Sequence, residues 1–290
     1  MTALRPPRPD EAEAVAALVI AGDVADVGEP DYTLGDLLDE WAASDFVLER
    51  DAVVAEDAGE LVGYAAVRRH DALAVVRPGR EGEGIGTALL DWCEARGPHA
   101  QGVGDRNAAA RVLLESRGYA QVRHYWRMDV ELRDPAEPEP PPGVSLRPPR
   151  LPEDGDALYA VSDAAFAANA DYREESREQF GGEHLGAHDL DPALSRVAER
   201  ASTLAGFALV RRWPEDVAYV DLLAVHPDAA GRGIGGTLLR AVFAAAARAG
   251  FARAQLGVAS DNPHATGLYE RVGMTRRFRV DAYEPPGMPD

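Results

Sequence analysis

The chain has 290 residues, length for two domains, and its 46% hydrophobic residues let each half bury a core. Its 49 acidic residues against 30 basic ones, all of them Arg, give a formal charge of −19. That argues against nucleic acid or an anionic membrane as the main partner and permits a cationic substrate such as an amine. The one cysteine, Cys93, rules out an intramolecular disulfide, and no apolar run reaches signal-core or membrane length, so a cytoplasmic protein is expected.

In the first half, Asp10 to Ala21 has helical spacing through Val15, Leu18 and Val19, with Asp10 as the expected N-cap. A second helix is expected over Asp31 to Ala43. Two strands follow, Ala52 to Glu56 and Leu61 to Arg68, joined by the turn Asp57-Ala58-Gly59-Glu60. Ala72 to Val76 reads as a strand leading into a loop of arginine, proline, glycine and glutamate. Helices are expected at Thr87 to Ala95, where Cys93 reads as a buried structural thiol, and at Arg106 to Ser116. Tyr125 to Leu132 alternates like an edge strand.

Asp134 to Gly143 holds five prolines and three acids in ten residues, an extended linker that forms neither helix nor inner strand. The second half then repeats the first. Leu-Arg-Pro-Pro-Arg begins at Leu4 and again at Leu146, 142 residues later (146 − 4), and Gly84-Ile85-Gly86 stands 149 residues before Gly233-Ile234-Gly235 (233 − 84). The expected boundaries are residues 1–133, the linker at 134–143, and residues 144–290. Glu153 to Asn169 reads as mostly helical, Tyr172 to Phe180 as polar with a charged face, and Gly181 to Asp191 as a loop. Arg196 to Glu199 and Gly206 to Arg212 read as strands.

The chain is organised around the stretch that follows. The apolar run Tyr219 to Val225 is stopped at Pro227, which lacks a ladder N–H. Gly231, Gly233, Gly235 and Gly236 come next, then a helix through Leu238, Leu239, Val242, Phe243 and Ala246 that ends at Gly250. A glycine loop opening a helix brings backbone N–H groups to an anion, so a phosphate is expected there. The spacing satisfies G-x-G-x-x-G, which on its own also admits a dinucleotide-dependent oxidoreductase. A dinucleotide fold, however, places this loop after its first strand. Here it comes late, followed by the strand-like run Ala254 to Ala259 and then Ser260 to Met274.

That pairing resembles the GNAT superfamily of N-acetyltransferases. Gly233 and Gly235 match the first motif of the family, and Asn262, Ala265, Leu268, Tyr269, Gly273 and Met274 match the second. Ala230 departs from the Gln or Arg of the first motif. The resemblance implies an α/β (α+β) protein of two GNAT-like domains, each a mixed, mostly antiparallel sheet with flanking helices. It implies acetyl-CoA as acetyl donor and a small-molecule amine as acceptor, with no metal, nucleic-acid or membrane partner; the oligomeric state stays open. Leu223, Ala224 and Val225 would form the splayed strand along the pantetheine arm. Gly231, Arg232, Gly233, Ile234, Gly235, Gly236 and Thr237 would hold the pyrophosphate, and Asn262 belongs to the same cofactor set. Tyr269 would protonate the departing thiolate. Tyr219 stands where the family often has a Glu base, and Asp221, two residues on and so on the same face by alternation, is the candidate base.

The first half keeps the N-x-x-A-x-x-L pattern at Asn107, Ala110 and Leu113, but Leu114 replaces the tyrosine and Glu81 and Glu83 flank its loop. His70 aligns with Tyr219 by the same offset (70 + 149). A catalytically idle first domain is expected, with direct acetyl transfer in a ternary complex on the second, because no nucleophilic cysteine stands in the motifs. The tandem layout is similar to that of the mycothiol synthases, which leaves a cysteinyl amine open as acceptor. A non-catalytic acyl-CoA sensor is the other open class.

Overall fold

The computed structural model describes residues 2–167, 172, 174–214 and 216–288. They form two compact units: one up to Trp126 together with the residues from Phe278 on, the other Arg127–Arg277.

The first unit runs β1 (Ala3–Arg5), α1 (Ala12–Asp26), α2 (Leu34–Ala42), α3 (Leu48–Asp51), β2 (Ala52–Asp57), β3 (Glu60–Arg68), β4 (Asp71–Val76), α4 (Ile85–Glu94), β5 (Ala100–Gly104) and α5 (Ala108–Ser116). Alternation along its strands sorts side chains to two faces. Val54, Tyr64 and Ala66 pack under Val15, Leu18 and Val19 of α1. Val53, Ala55, Val62 and Ala65 pack under Ile85, Leu89 and Cys93 of α4. Burial pushes the Cys93 thiol up to about 11, so it is an apolar filler there and not a nucleophile.

β6 (Ala120–Glu131) leads towards the second unit, which continues with β7 (Val144–Arg147), α6 (Gly155–Phe166), α7 (Arg177–Phe180), β8 (Arg196–Arg200), β9 (Thr203–Trp213), β10 (Val217–Val225), α8 (Ile234–Arg248), β11 (Arg253–Ala259) and α9 (Pro263–Arg271); β12 (Thr275–Glu284) then returns to the first. Leu158 and Val161 of α6 and Phe180 of α7 close on Phe207, Leu209 and Ala224. Helix α8 lies against β8, β9 and β10 and buries Leu238, Leu239, Val242 and Ala246 completely. It ends where Gly250 takes φ of +91°.

The ladders β1–β2, β2–β3, β3–β4, β7–β8, β8–β9 and β9–β10 are antiparallel; β4–β5 and β10–β11 are parallel. This is the mixed, mostly antiparallel sheet expected of each half, and it is incompatible with the doubly wound parallel sheet of a dinucleotide fold.

The expected contiguous division at 1–133 and 144–290 differs from the units observed. Strand β12, at the chain's end, pairs antiparallel with β5 of the first unit, Val280 opposite Gly104 and Tyr283 opposite Gln101. Tyr283 is buried there with Leu90, Val103, Leu114 and Tyr119. The residues of β6 from Arg127 on belong to the second unit, where β6 neighbours β11. Each unit is thus closed by the strand that the other half of the sequence supplies. No local signal marks such an exchange, because either strand satisfies the same pattern of alternation. The linker carries no regular structure over Pro135–Pro141, and Glu137 pairs with Arg248 of α8.

Asp10 is not a cap: it lies in a 3₁₀ turn, Pro9–Glu11, and Glu11 precedes α1. Glu11 is held by Arg5 and Arg8 instead, and those contacts keep its carboxyl down at about 2. The expected helix end at Asn169 lies outside the described residues. No helix among the described residues is long and apolar enough to cross a membrane.

Candidate functional site

The site of the second unit starts where β10 and β11 part. Their parallel ladder covers only Val217↔Arg253, Ala218↔Ala254 and Tyr219↔Gln255. On the β9 side the register shifts between Val220 and Leu222, so Asp221 is the extra residue of a β-bulge. A bulge bends its strand and interrupts pairing. Beyond it, Leu222 to Val225 stay bonded to β9 but have no ladder partner on the β11 side among the described residues. Leu223 and Val225 are half-buried, and the Ala224 side chain is buried in the core.

The loop after β10 presents two different sets of glycines. Gly231 and Gly233 have φ of +73° and +78°, and a Cβ on either would meet open space. They give the left-handed turns that point the amides at the start of α8 outward. Gly235 and Gly236 also meet a packing demand. Their Cβ positions face Leu268 of α9 at 3.1 and 3.5 Å, so they let α9 approach α8 closely. Ile234 has its side chain buried in the core, and Thr237 returns its hydroxyl to the Gly233 carbonyl at 3.0 Å. Of the expected pyrophosphate set, Arg232 alone offers an exposed polar side chain. Ala230 is exposed and extended, at φ −61° and ψ 156°. A polyanion fits this cradle: open backbone amides at a helix N-terminus, with an arginine beside them.

Asn262 accepts a hydrogen bond from the Ala265 N–H at 3.0 Å and so caps α9. That use was hidden in the motif, because an N-cap and a ligand contact both ask for a polar residue just before the helix. Helix α9 carries Tyr269, which is 8% exposed. Burial, with Tyr219 nearby, raises its phenol to about 12. Its hydroxyl has no hydrogen-bond partner among the described residues.

Tyr219 and Asp221 go different ways, because the bulge breaks the two-residue alternation that would have put them on one face. Tyr219 stacks on Trp213, ring centroids 4.1 Å apart and planes 4° apart, with the Arg127 guanidinium 5.5 Å from its centroid. It is a packed wall. The Arg127 side chain crosses Gly257 so closely that a Cβ there would collide with its Nη1. Asp221 instead accepts a hydrogen bond from His184 Nδ1 at 2.7 Å, and His184 Nε2 lies 3.6 Å from Glu175.

His184 sits in a single π turn, Gly181–Leu185, just after α7. Such turns displace one side chain from the helical path. Its ring packs on Phe180, centroids 5.2 Å apart, and the Glu175 segment is pinned by Tyr159, whose hydroxyl donates to the Glu175 carbonyl at 2.9 Å. Burial by itself lowers the imidazole, but the hydrogen bonds and charges of Asp221 and Glu175 outweigh it and carry it up to about 10. His184 is therefore an imidazolium at neutral pH. Glu175, Glu183 and His184 bring potential metal-ligand atoms within 4.8 Å of one another, and a cation would compete there with the proton on His184. Neither Glu175 nor His184 was legible in the sequence: Gly181 to Asp191 reads as loop, and the partners are 46 residues apart (221 − 175).

The first unit has the same frame with different contents. β4 and β5 are paired only at Asp71↔Ala100 and Ala72↔Gln101 before they diverge. β4 has no bulge against β3, so Asp221 has no counterpart; in the ladder it is Asp71, not His70, that stands where Tyr219 does. Glu81 and Glu83 both have partners within the loop. Glu83 pairs with Arg80 at 2.7 Å, and Glu81 accepts from the Gly79 N–H at 2.9 Å.

The comparisons with known proteins bear on this architecture. The model of the Acetyltransferase (GNAT) family matches residues 158–274, and that of the Acetyltransferase (GNAT) domain matches residues 49–121. The chain is 31% identical over 261 residues to the mycothiol acetyltransferase of Cellulomonas flavigena, covering 79% of this chain and 72% of the relative. It is 32% identical over 234 residues to that of Thermobispora bispora, covering 76% and 78%. This chain belongs to the GNAT acetyltransferases. A solved GCN5-related N-acetyltransferase from Sphaerobacter thermophilus superposes with a TM-score of 0.80 at 26% identity, over 100% of this chain and 98% of that one. A tandem GNAT protein of the clavulanic acid pathway shares the fold, with a TM-score of 0.75 at 18% identity over both whole chains. As a GNAT enzyme, the protein takes its acetyl group from acetyl-CoA and delivers it to an amine. The oxidoreductase admitted by the G-x-G-x-x-G spacing is thereby overturned.

Proposed function

We propose that catalysis resides in the second unit and that its acceptor is a small-molecule primary amine, a cysteinyl amine of the mycothiol kind being the specific substrate. The observation that carries this reading is the presence, in one unit, of a buried Tyr269 whose hydroxyl is unbonded among the described residues and of the Glu175–His184–Asp221 cluster. The first unit has Leu114 in place of the tyrosine and no residue in place of Asp221. The mycothiol acetyltransferases named among its relatives support the choice of acceptor.

Acetyl-CoA supplies an activated acetyl thioester and leaves as a thiolate. The loop amides around Gly231 and Gly233, with Arg232, hold its pyrophosphate, and the free edge of Leu223–Val225 holds its pantetheine arm. Tyr269 faces the sulfur. Full proton transfer from a phenol near 12 to a thiolate whose thiol titrates at ~8.5 is uphill by roughly 5 kcal/mol. Tyr269 therefore acts by donating a hydrogen bond as charge develops on sulfur, which a buried donor does well.

The amine arrives as an ammonium and must lose a proton before it attacks. His184 cannot take it, being protonated already. The imidazolium donates to one oxygen of Asp221 and orients the carboxylate; the second oxygen has no partner among the described residues and receives the amine's proton. Two carboxylates around one imidazolium leave a net negative charge, which attracts the ammonium. Tyr219, wedged between Trp213 and Arg127, shapes the wall beside Tyr269.

The test is thiol release from acetyl-CoA by the full chain, with the unacetylated cysteinyl precursor of mycothiol, free cysteine, glucosamine and simple alkylamines as acceptors. The cysteinyl precursor should give the highest kcat/KM. A simple amine that matches or exceeds it would remove the mycothiol assignment, and absence of turnover on every amine would remove the catalytic one.

A further inference from the structure

The ladder of β10 on β11 ends at Tyr219↔Gln255. Gly257, two residues further along β11, is exposed. A Cβ on it would lie 3.5 Å from the Tyr219 hydroxyl oxygen and would run into Arg127 Nη1. The bare backbone of Gly257 thus lets two donors, a guanidinium and a phenol, come together over one exposed point where the strands part. Arg127 stands on β6 and Tyr219 on β10, both within the second unit, so the pairing is made by the fold and not by nearness in sequence.

The stack that holds Tyr219 is kept at a cost. Its ring lies flat on Trp213, whose Nε1–H is sealed in with no hydrogen-bond partner among the described residues. A buried N–H left unpaired disfavours the fold. Tyr219 is also close enough to Tyr269 to help raise its phenol. What Tyr219 and Arg127 hold therefore lies beside the reacting nitrogen and not at a remote end of the acceptor. A guanidinium has only donors to offer and binds carbonyl or carboxylate oxygens through charge-assisted hydrogen bonds. The carboxylates of Asp221 and Glu175, on either side of His184, draw the ammonium. An acceptor with an ammonium and a carbonyl or carboxylate oxygen on the adjoining carbon meets both demands.

We propose that Arg127 and the Tyr219 hydroxyl set the specificity of the acceptor site by holding the oxygen of an α-amino acyl group. The site then favours amino-acid derivatives over alkylamines of the same shape. This rests on catalysis residing in the second unit, and it gives a cysteinyl amine a physical advantage over a simple one.

The experiment gives the full chain acetyl-CoA and three amines, S-methylcysteinamide, S-methylcysteine and 2-(methylthio)ethylamine, and measures the acetylated products by mass spectrometry. The three differ only at the carbon next to the one bearing the amine. The faster of the first two identifies the oxygen as an amide's or a carboxylate's. Its kcat/KM should exceed that of 2-(methylthio)ethylamine by roughly 10–100-fold, the worth of a hydrogen bond to a charged group. An acyl neighbour also makes the amine less basic, so the deciding readout is the change in this ratio on substitution. In Arg127→Gln the ratio should fall at least about tenfold, through the KM of the amine, with the KM of acetyl-CoA within about twofold. Tyr219→Phe keeps the stack and removes the hydroxyl, and the ratio should fall about three- to tenfold. A ratio near one in the wild type, a ratio unchanged in a folded Arg127→Gln variant, or a shift in the KM of acetyl-CoA in place of the amine's would each overturn the proposal. Should Arg127→Gln fail to fold, an unchanged ratio in Tyr219→Phe overturns it. Turnover of no amine by the wild type removes catalysis by the second unit and this proposal with it; equal turnover of all three removes the oxygen recognition alone.

Discussion

Tyr269→Phe removes one hydroxyl and keeps the ring. The hydroxyl has no partner to lose among the described residues, and the ring keeps its place on α9, so stability should change by no more than about 0.5 kcal/mol. The effect belongs in the rate. A donor preorganised towards developing charge in a buried site is worth about 3–4 kcal/mol, so kcat should fall roughly 10²–10³-fold. The value of kcat/KM should fall with it, because the bond to sulfur strengthens only as the thiolate forms. Acetyl-CoA affinity, measured by calorimetry, should stay within about twofold. The raised phenol adds a pH test. With its pKa near 12, Tyr269 stays protonated across the working range, and the wild-type kcat profile should show no alkaline limb due to it between pH 6 and about 10. Steady-state thiol release with saturating amine, at a pH where chemistry limits the rate, measures all of this. Wild-type kcat in the variant refutes the reasoning. So does an alkaline limb near pH 8–9 that disappears with the hydroxyl, since it would mean that the phenol titrates where full proton transfer is easy.

His184→Gln should destabilise the second unit by on the order of 3 kcal/mol at pH 6. The folded pKa is raised, so the stabilisation is complete below the unfolded value of 6.5 and is lost as pH rises towards about 10; urea unfolding at pH 6 and pH 10 should show the difference shrinking. Ala230→Glu combined with Arg232→Glu carries the first unit's loop chemistry into the second at two exposed positions, and acetyl-CoA affinity should drop at least about 100-fold with an unchanged melting temperature. Gly206→Ala sets a Cβ 2.8 Å from the Ala224 carbonyl oxygen, a backbone atom that cannot swing away, and should cost about 1–3 kcal/mol by thermal or urea unfolding, with turnover falling as β10 is displaced. Gly235→Glu would be a poor probe of the phosphate cradle, because its Cβ pushes on Leu268 at 3.1 Å and disturbs α9 directly.

The strand, glycine loop and helix of the second unit were legible in the sequence because their geometry is local. A left-handed glycine, a helix start and a stopped strand are decided within a few residues, so Gly231, Gly233 and the helix through Leu238 and Phe243 could be read directly. The repeat at Leu4 and Leu146, and the second motif from Asn262 to Met274, announced two related units and their family. The tertiary structure decided what depends on distant segments meeting. Asp221 turned out to sit in a bulge, so its partner is His184 and not the face of Tyr219. Glu175, His184 and Asp221 converge only because a π turn and the bulge bring them together. The strands that close the two units are exchanged, since an alternating strand carries no mark of the neighbour it will pair with. Gly235 and Gly236, read as cradle, also pack against α9 through Leu268. Open space and a neighbouring helix both select the residue without a side chain, and only the position of Leu268 distinguishes them.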